Sequence, residues 1–425
     1  MMFRRKSKAA AALVAVALVA AACGGDDAGT DAGTDAGNGD VVVSEAALKL
    51  GYLLPETGQL AFLGPPMISG VQLAVQEIND AGGVLGNPVE VLSGDEAGDA
   101  GRAAEDASRL LASDVQAIVG AAATGMTMAV IDQITSAGVV QCSPSNTGIG
   151  LTTQPDNGYY FRTAPSDVLQ APVLAELVID AGYASIAVAA RADDYGVPFL
   201  EETVAGLEAR GADVVLSEAY DPEAGTFDSV VDAMLGSGAD AFVLITFVEG
   251  AQIVQGLLAA GIEPTQIFGA DGIAGAAFAD NFPSADVLEG MRFTAPTAIV
   301  PPDFEARLLA FNPNLVDFLF SPNAYDCVNL IALSAVAAGS TASSAIRDNM
   351  IAVTQGDNEC TTFAECSAFI ADGQTIAYQS AVGGPLNLIE VREGGGEPSR
   401  GIIETSVWQG GEFVSTGTVA GDLVG

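Results

Sequence analysis

The chain has 425 residues, with 15 Lys and Arg against 54 Asp and Glu, and it contains no His. A formal charge of −39 excludes electrostatic binding to nucleic acid or to an anionic membrane surface. Without His there are no Ser-His-Asp or Cys-His nucleophile pairs and no usual zinc site, and no Walker A loop, G-x-S-x-G elbow or G-x-G-x-x-G fingerprint occurs either.

The first residues read as a targeting segment. Arg4, Arg5, Lys6 and Lys8 form a cationic start, residues 9–22 are apolar but too short to span a bilayer, and the stretch ends in Ala20-Ala21-Ala22-Cys23-Gly24. This resembles a bacterial lipoprotein signal, which implies that 1–22 is the signal peptide and Cys23 the lipidation site. The body is then expected at the outer face of the cytoplasmic membrane. Residues 24–40 are Gly, Asp, Ala, Thr and Asn with a repeated Ala-Gly-Thr-Asp. Such a composition buries no apolar surface, so 23–47 reads as the anchor site followed by a disordered linker.

About 375 residues remain, more than one core usually holds, which predicts two lobes. An apolar strand at 48–54 leads through a loop to a helix carrying Val71, Ala74, Val75 and Ile78 at helical spacing, ended by Gly82-Gly83. Strands at 89–93, 115–120 and 139–142 then alternate with helices at 100–112 and 124–136. This pattern predicts an α/β doubly wound parallel sheet. The last of these strands runs into Gln141-Cys142-Ser143-Pro144-Ser145-Asn146-Thr147-Gly148. Small hydroxyl and amide residues there lie at the carboxyl end of the sheet, where open α/β folds bind ligands.

The same grammar restarts after residue 163. Helices at 168–181, 198–210, 227–235 and 250–260 alternate with strands at 185–190, 213–218, 241–246 and 266–269. Helices at 303–311, 324–338 and 343–353 have too few strands for a third lobe and are expected to complete the first. Residues 389–392, a Gly-rich turn at 394–396, and 402–408 with Gly410-Gly411 read as a terminal hairpin. Apart from Cys23 there are four Cys. Cys360 and Cys366 are expected to staple a surface loop, while Cys142 and Cys327 are left either bonded or as buried thiols.

Six stretches carry a resemblance: Glu77-Ile78-Asn79-Asp80-Ala81-Gly82-Gly83-Val84-Leu85-Gly86, Ser143-Pro144-Ser145-Asn146-Thr147, Phe161-Arg162-Thr163-Ala164-Pro165-Ser166-Asp167, Asp194-Tyr195-Gly196, Gly269-Ala270-Asp271-Gly272 and Ala324-Tyr325-Asp326. In this order, over residues 48–392, they resemble the substrate-binding lipoproteins of branched-chain amino-acid ABC importers, with the type I periplasmic-binding-protein fold. The resemblance implies two lobes joined by three crossovers near 163, 296 and 385. The first lobe is then 48–163 with 297–384, and the second 164–296 with 385–425. It also implies a ligand in the cleft between them, no bond made or broken in that ligand, and no cofactor.

Carried over position by position, the resemblance implies that Ala123 and Thr124, at a helix start, grip a carboxylate with Ser145 and Thr147. Asp271 is expected to pair with the ligand's ammonium and Tyr195 to close over it. Phe247 stands where Tyr is frequent, and Leu63, with Phe62 beside it, where an aromatic often lines the side-chain pocket. These departures leave a greasy pocket suited to an aliphatic or related amino acid. The same fold also serves receptors for short amides, urea or aromatic acids, and sensors. The implied partners are the permease and ATPase subunits of an ABC importer, with the binding protein itself a monomer.

Overall fold

The computed structural model describes residues 46–296, 300–391 and 394–423. The expected signal segment, Cys23 and nearly all of the linker lie outside the described residues. No single described helix is long and apolar enough to cross a membrane.

Two seven-stranded sheets organise the fold. The first holds β1 (Lys49–Leu53), β2 (Glu90–Leu92), β3 (Ala117–Gly120), β4 (Val140–Ser143) and β5 (Tyr160–Arg162), all mutually parallel in the order β5-β4-β3-β1-β2. The second holds β6 (Ser185–Arg191), β7 (Asp213–Tyr220), β8 (Ala241–Ile245), β9 (Ile267–Gly269) and β10 (Arg292–Pro296), parallel in the order β10-β9-β8-β6-β7. β3, β4 and β8 are buried throughout, as strands covered by helices on both faces must be.

The helices follow from local chemistry. In α1 (Gly64–Asp80), Pro65 and Pro66 occupy the first turn, where their missing N–H groups cost nothing. Met67, Val71, Ala74 and Ile78 form its buried stripe. Asp99 caps α2 (Ala100–Leu111) by accepting from Arg102 N at 2.8 Å, and Ser166 caps α4 (Asp167–Asp180). Between them lies α3 (Thr124–Ser136), and α5 (Gly196–Ala209), α6 (Asp228–Gly236) and α7 (Gly250–Ala259) serve the second sheet. After the second sheet, α8 (Pro302–Phe311) and α9 (Ser321–Ala338) pack back on α1.

Two expectations need correction, and one unit was not expected at all. The helix expected at 343–353 is the short α10 (Ser343–Arg347), followed by a separate 3₁₀ turn at Ala352–Thr354. Beyond it, β11 (Asn358–Cys360), α11 (Phe363–Ala371) and β12 (Ile376–Tyr378) form a small two-stranded unit that the sequence pattern did not suggest. The terminal hairpin is β15 (Arg400–Gln409) with β16 (Glu412–Asp422), turning at Gly410-Gly411, and residues 388–390 are not part of it.

The third crossover also moves. β13 (Leu388–Glu390) and β14 (Gly396–Pro398) extend the first sheet beyond β5, so the chain passes to the second sheet at Ser399 and not near 385. A buried charge pair reinforces that placement: Glu397 in β14 accepts from Arg162 Nε in β5 at 2.7 Å, both side chains being almost wholly buried. The first crossover follows Thr163, whose Oγ1 donates to Asn323 O of α9 at 3.0 Å while Asn323 Nδ2 donates back to Thr163 O at 2.9 Å. The second lies between Pro296 and Pro302.

Both cysteine pairs are disulfides. Cys360–Cys366 closes the loop that leads into α11, and Cys142–Cys327 ties the end of β4 to α9 across 185 residues of sequence.

Candidate functional site

The strand order of the first sheet reverses between β1 and β3, and that of the second between β6 and β8. Crevices form at the carboxyl ends of strands at such points, and here the two crevices face each other. From the first lobe come Leu60 and Leu63 after β1, Ala122 and Ala123 after β3, Thr124 opening α3, Ser145 and Thr147 after β4, and Phe320 before α9. From the second come Tyr195 after β6, Phe247 after β8, and Asp271 and Gly272 after β9. Together they line one cavity of about 20 Å³, room for roughly one water. All these residues are buried. The jaws are closed, and an organic solute enters only when they part.

The first jaw is built around the start of α3. Ser143 Oγ donates to Ala121 O at 2.7 Å, and Ser145 Oγ and Asn146 Nδ2 donate to Ala122 O at 3.0 and 2.6 Å. The small polar residues after β4 thus zip that loop to the one after β3. Thr124 Oγ1 accepts from Gly148 N at 3.3 Å.

Glu96 alters the expected division of labour. Its carboxyl accepts from Ala122 N at 2.6 Å and Ala123 N at 3.1 Å, so Ala123's own N–H is already engaged. The N–H groups left for an anion are those of the first turn of α3, from Thr124 onward, which helix geometry leaves without internal acceptors. Burial pushes the Glu96 carboxyl up to about 8, against the two N–H bonds that favour its charge.

The second jaw carries the acid. Asp271 Oδ1 accepts from Tyr195 Oη at 2.8 Å and from Gln170 Nε2 at 3.2 Å. Burial raises its carboxyl to about 6 even so, and burial together with the Asp271 charge raises the Tyr195 phenol far above its ordinary value. Phe247 stacks on Tyr195 with ring centroids 5.3 Å apart, and the Arg191 guanidinium lies 3.6 Å from the Phe247 centroid. Gly272 is required by contact, because a Cβ there would lie 2.3 Å from Thr246 O.

A second acid stands close by. Asp167, the first residue of α4, is wholly buried, and neither oxygen makes a hydrogen bond of ordinary geometry. Burial first, then the Asp271 charge, hold its carboxyl well above the usual range, with Thr147 and Arg162 near enough to oppose this only partly. Two buried carboxyls that repel one another form a site that a single cation would relieve.

Of the residues expected at the site, Ala123, Thr124, Ser145, Thr147, Tyr195, Phe247, Asp271 and Leu63 share this cavity. Phe62 does not: it lies in an adjoining groove with Gln59, Val248 and Phe278. The sequence reading missed Leu60, Phe320, Glu96 and Asp167. For Asp167 a signal existed, since it closes the Phe161–Asp167 stretch that carries the resemblance, but an acid at a helix start reads first as a dipole partner.

The family described as "Periplasmic binding protein" matches residues 47–395. Leu/Ile/Val-binding protein homolog 3 of Brucella melitensis is 28% identical over 305 residues, 71% of this chain and 82% of that protein. The leucine-, isoleucine-, valine-, threonine- and alanine-binding protein of Pseudomonas aeruginosa is 27% identical over 303 residues, 69% of this chain and 79% of its own. Among solved structures, the branched-chain amino acid transporter substrate-binding protein LivJ of Streptococcus pneumoniae, in complex with isoleucine, superposes with a TM-score of 0.70 at 25% identity, covering 89% of this chain and 100% of that one. An ABC-transporter solute-binding protein of R. palustris, in complex with 4-hydroxybenzoate, gives 0.71 at 17% identity, over 89% and 97% of the two chains.

Proposed function

The chain belongs to the periplasmic binding protein family, and we propose that within it this protein is the extracytoplasmic solute receptor of an ABC importer, binding an aliphatic α-amino acid between its lobes. The observation that carries the reading is the opposition of two unlike electrostatic environments across one cavity. The start of α3, with Thr124, Ser145 and Thr147, suits a carboxylate. Asp271 on the opposite wall, with the charge of the buried Asp167 near it though outside the cavity lining, suits an ammonium. Between them Leu60, Leu63, Phe247 and Phe320 offer only apolar surface to a side chain. The relatives named as binding Leu, Ile and Val favour the same ligand class.

The lobes hinge about the crossovers after Thr163, after Pro296 and at Ser399. A ligand that touches both lobes favours closure by its differential affinity for the closed form, and the permease reads that form. The role is binding without chemistry on the solute. Attachment through a lipid on Cys23 and the long linker would hold the receptor beside its permease and ATPase.

Calorimetry with a panel of L-amino acids, their amides, urea and 4-hydroxybenzoate tests the assignment. Affinity confined to zwitterions with aliphatic side chains is expected. A second reading, an aromatic acid, has the aromatic lining of Tyr195, Phe247 and Phe320 in its favour. It leaves both acids without a counter-charge, and binding of 4-hydroxybenzoate in preference to every amino acid would overturn the first reading.

A further inference from the structure

The loop between β1 and α1 reaches the second lobe through one amide. Arg191 Nη1 donates to Gln59 Oε1 at 3.2 Å, and Gln59 Nε2 donates to Glu223 Oε1 at 3.3 Å. The partners dictate the amide's orientation, because a guanidinium only donates and a carboxylate only accepts. A side chain with one donor and one acceptor at the same tip is what this position requires.

Both ends of the bridge are anchored. On the first lobe, Asp95 accepts from Glu56 N at 3.0 Å, Thr57 N at 3.2 Å and Thr57 Oγ1 at 2.6 Å, which fixes the loop just before Gln59. Gly58 turns it at φ +88°, where a Cβ would fall 2.0 Å from Ala97 O. On the second lobe, the Arg191 side chain is 8% exposed, paired with Glu249 at 3.0 Å and Asp193 at 2.5 Å, and lies against Phe247. Phe247 lines the cavity, whereas Gln59 does not. Gln59 therefore holds the guanidinium that backs the Phe247 ring and stands outside the cavity lining itself.

We propose that Gln59 is a positioning residue that latches the lobes shut, so that it sets how long a solute is held without contacting it. The dissociation part of this proposal rests on the solute-receptor reading above; the closure part does not. The bridge exists only while the lobes are together, so removing it costs the closed form and leaves each separate lobe intact.

The test compares the full chain with Gln59→Leu, Glu223→Ala and the double variant. Small-angle X-ray scattering without ligand should give a larger radius of gyration for Gln59→Leu than for the wild type. Stopped-flow dissociation of L-leucine should quicken by roughly three- to tenfold with little change in association, the effect of one modest polar bridge acting on the off-rate. Glu223→Ala should do less, and adding it to Gln59→Leu should change nothing further. Thermal unfolding midpoints should match the wild type. Unchanged scattering and dissociation would overturn the proposal, as would faster dissociation accompanied by an equal loss of thermal stability. If the wild type fails to bind L-leucine, the ligand reading falls by itself, and the scattering comparison still decides the latch.

Discussion

Tyr195 donates its phenolic hydrogen to Asp271 at 2.8 Å, so an aromatic and an acid that line the same cavity are joined to each other within one lobe. An acid oriented in this way need not reorganise to meet an ammonium. Asp271→Asn keeps an acceptor for Tyr195 but removes the charge. It should weaken amino-acid binding by about 2 to 5 kcal/mol, the range for truncating one side of a buried charge pair. Tyr195→Phe removes only the orienting bond and should weaken binding roughly tenfold. Calorimetry on both variants checks the order, and Asp271→Asn with wild-type affinity would remove the ammonium assignment.

The pairing of Asp271 with Asp167 predicts a pH dependence of binding. Burial raises both carboxyls, Asp271 to about 6, so the free pair holds a proton more readily than an exposed pair. A bound ammonium favours the ionised form and expels that proton. Affinity for L-leucine should therefore rise with pH and fall by about tenfold from pH 7 to pH 5, with protons released on binding near pH 6. Titrations in buffers of different ionisation enthalpy measure that release directly. A flat profile over this window would mean that the acids do not face the ligand's charge.

Stability should run the other way, and Glu96 is the lever. Its folded-state value of about 8 lies above the ordinary 4.5, so its contribution is fully present below about pH 4.5 and is lost as pH rises through about 8. Asp326, raised to about 7 by burial despite its bonds from Ser380, Ala381 and Tyr378, acts in the same direction. Glu96 should therefore lower stability as pH rises from 5 to 8, by on the order of 1.4 kcal/mol for each unit its carboxyl is raised. Glu96→Gln cannot ionise, and its denaturant midpoint should be flatter over that range, with a residual slope from Asp326 and Asp271. An equal slope in the variant would show that the carboxyl stays ionised on its two N–H donors throughout.

Much of this arrangement could be read from residue order, and the parts that could not share a cause. The helix at 124–136 is legible to the residue because the strand before it ends at Gly120 and Val130, Ile131 and Ile134 recur within it at helical spacing. The opposed Thr124 and Asp271 followed from the motifs around them. Glu96 was not legible, since its role is a contact with backbone 26 and 27 residues away. Phe62 and Leu63 differ by one position in a loop with no periodicity, so nothing local decides which of them faces the cavity. β14 is Gly396-Glu397-Pro398, three residues with no strand propensity. Pairing with β13 and β5 and the buried Arg162–Glu397 pair hold them in the first sheet, long-range contacts that residue order does not show, so the third crossover reads too early.

The Cys142–Cys327 disulfide yields the last prediction. The chain leaves the first lobe after Thr163, builds most of the second sheet and returns through α8 and α9, so this bond closes a 185-residue excursion on the near side of the cleft. Loop-closure entropy for that span is about 5 kcal/mol, against about 2 kcal/mol for the six-residue separation of Cys360–Cys366. Replacing Cys142 and Cys327 with Ala should lower the free energy of unfolding by up to the larger figure, more than twice the effect of the same change at Cys360 and Cys366. Cys142 also adjoins Ser143, whose hydroxyl accepts from Asn146 N at 3.1 Å in the loop that carries Ser145 and Thr147. The first pair should therefore cost amino-acid affinity as well as stability, and the second pair stability alone. Denaturant unfolding with calorimetry on the two double variants separates these effects; equal losses from both pairs would mean that the long bond does not constrain the unfolded chain, and unchanged affinity in the first that it does not support the ligand-facing loop.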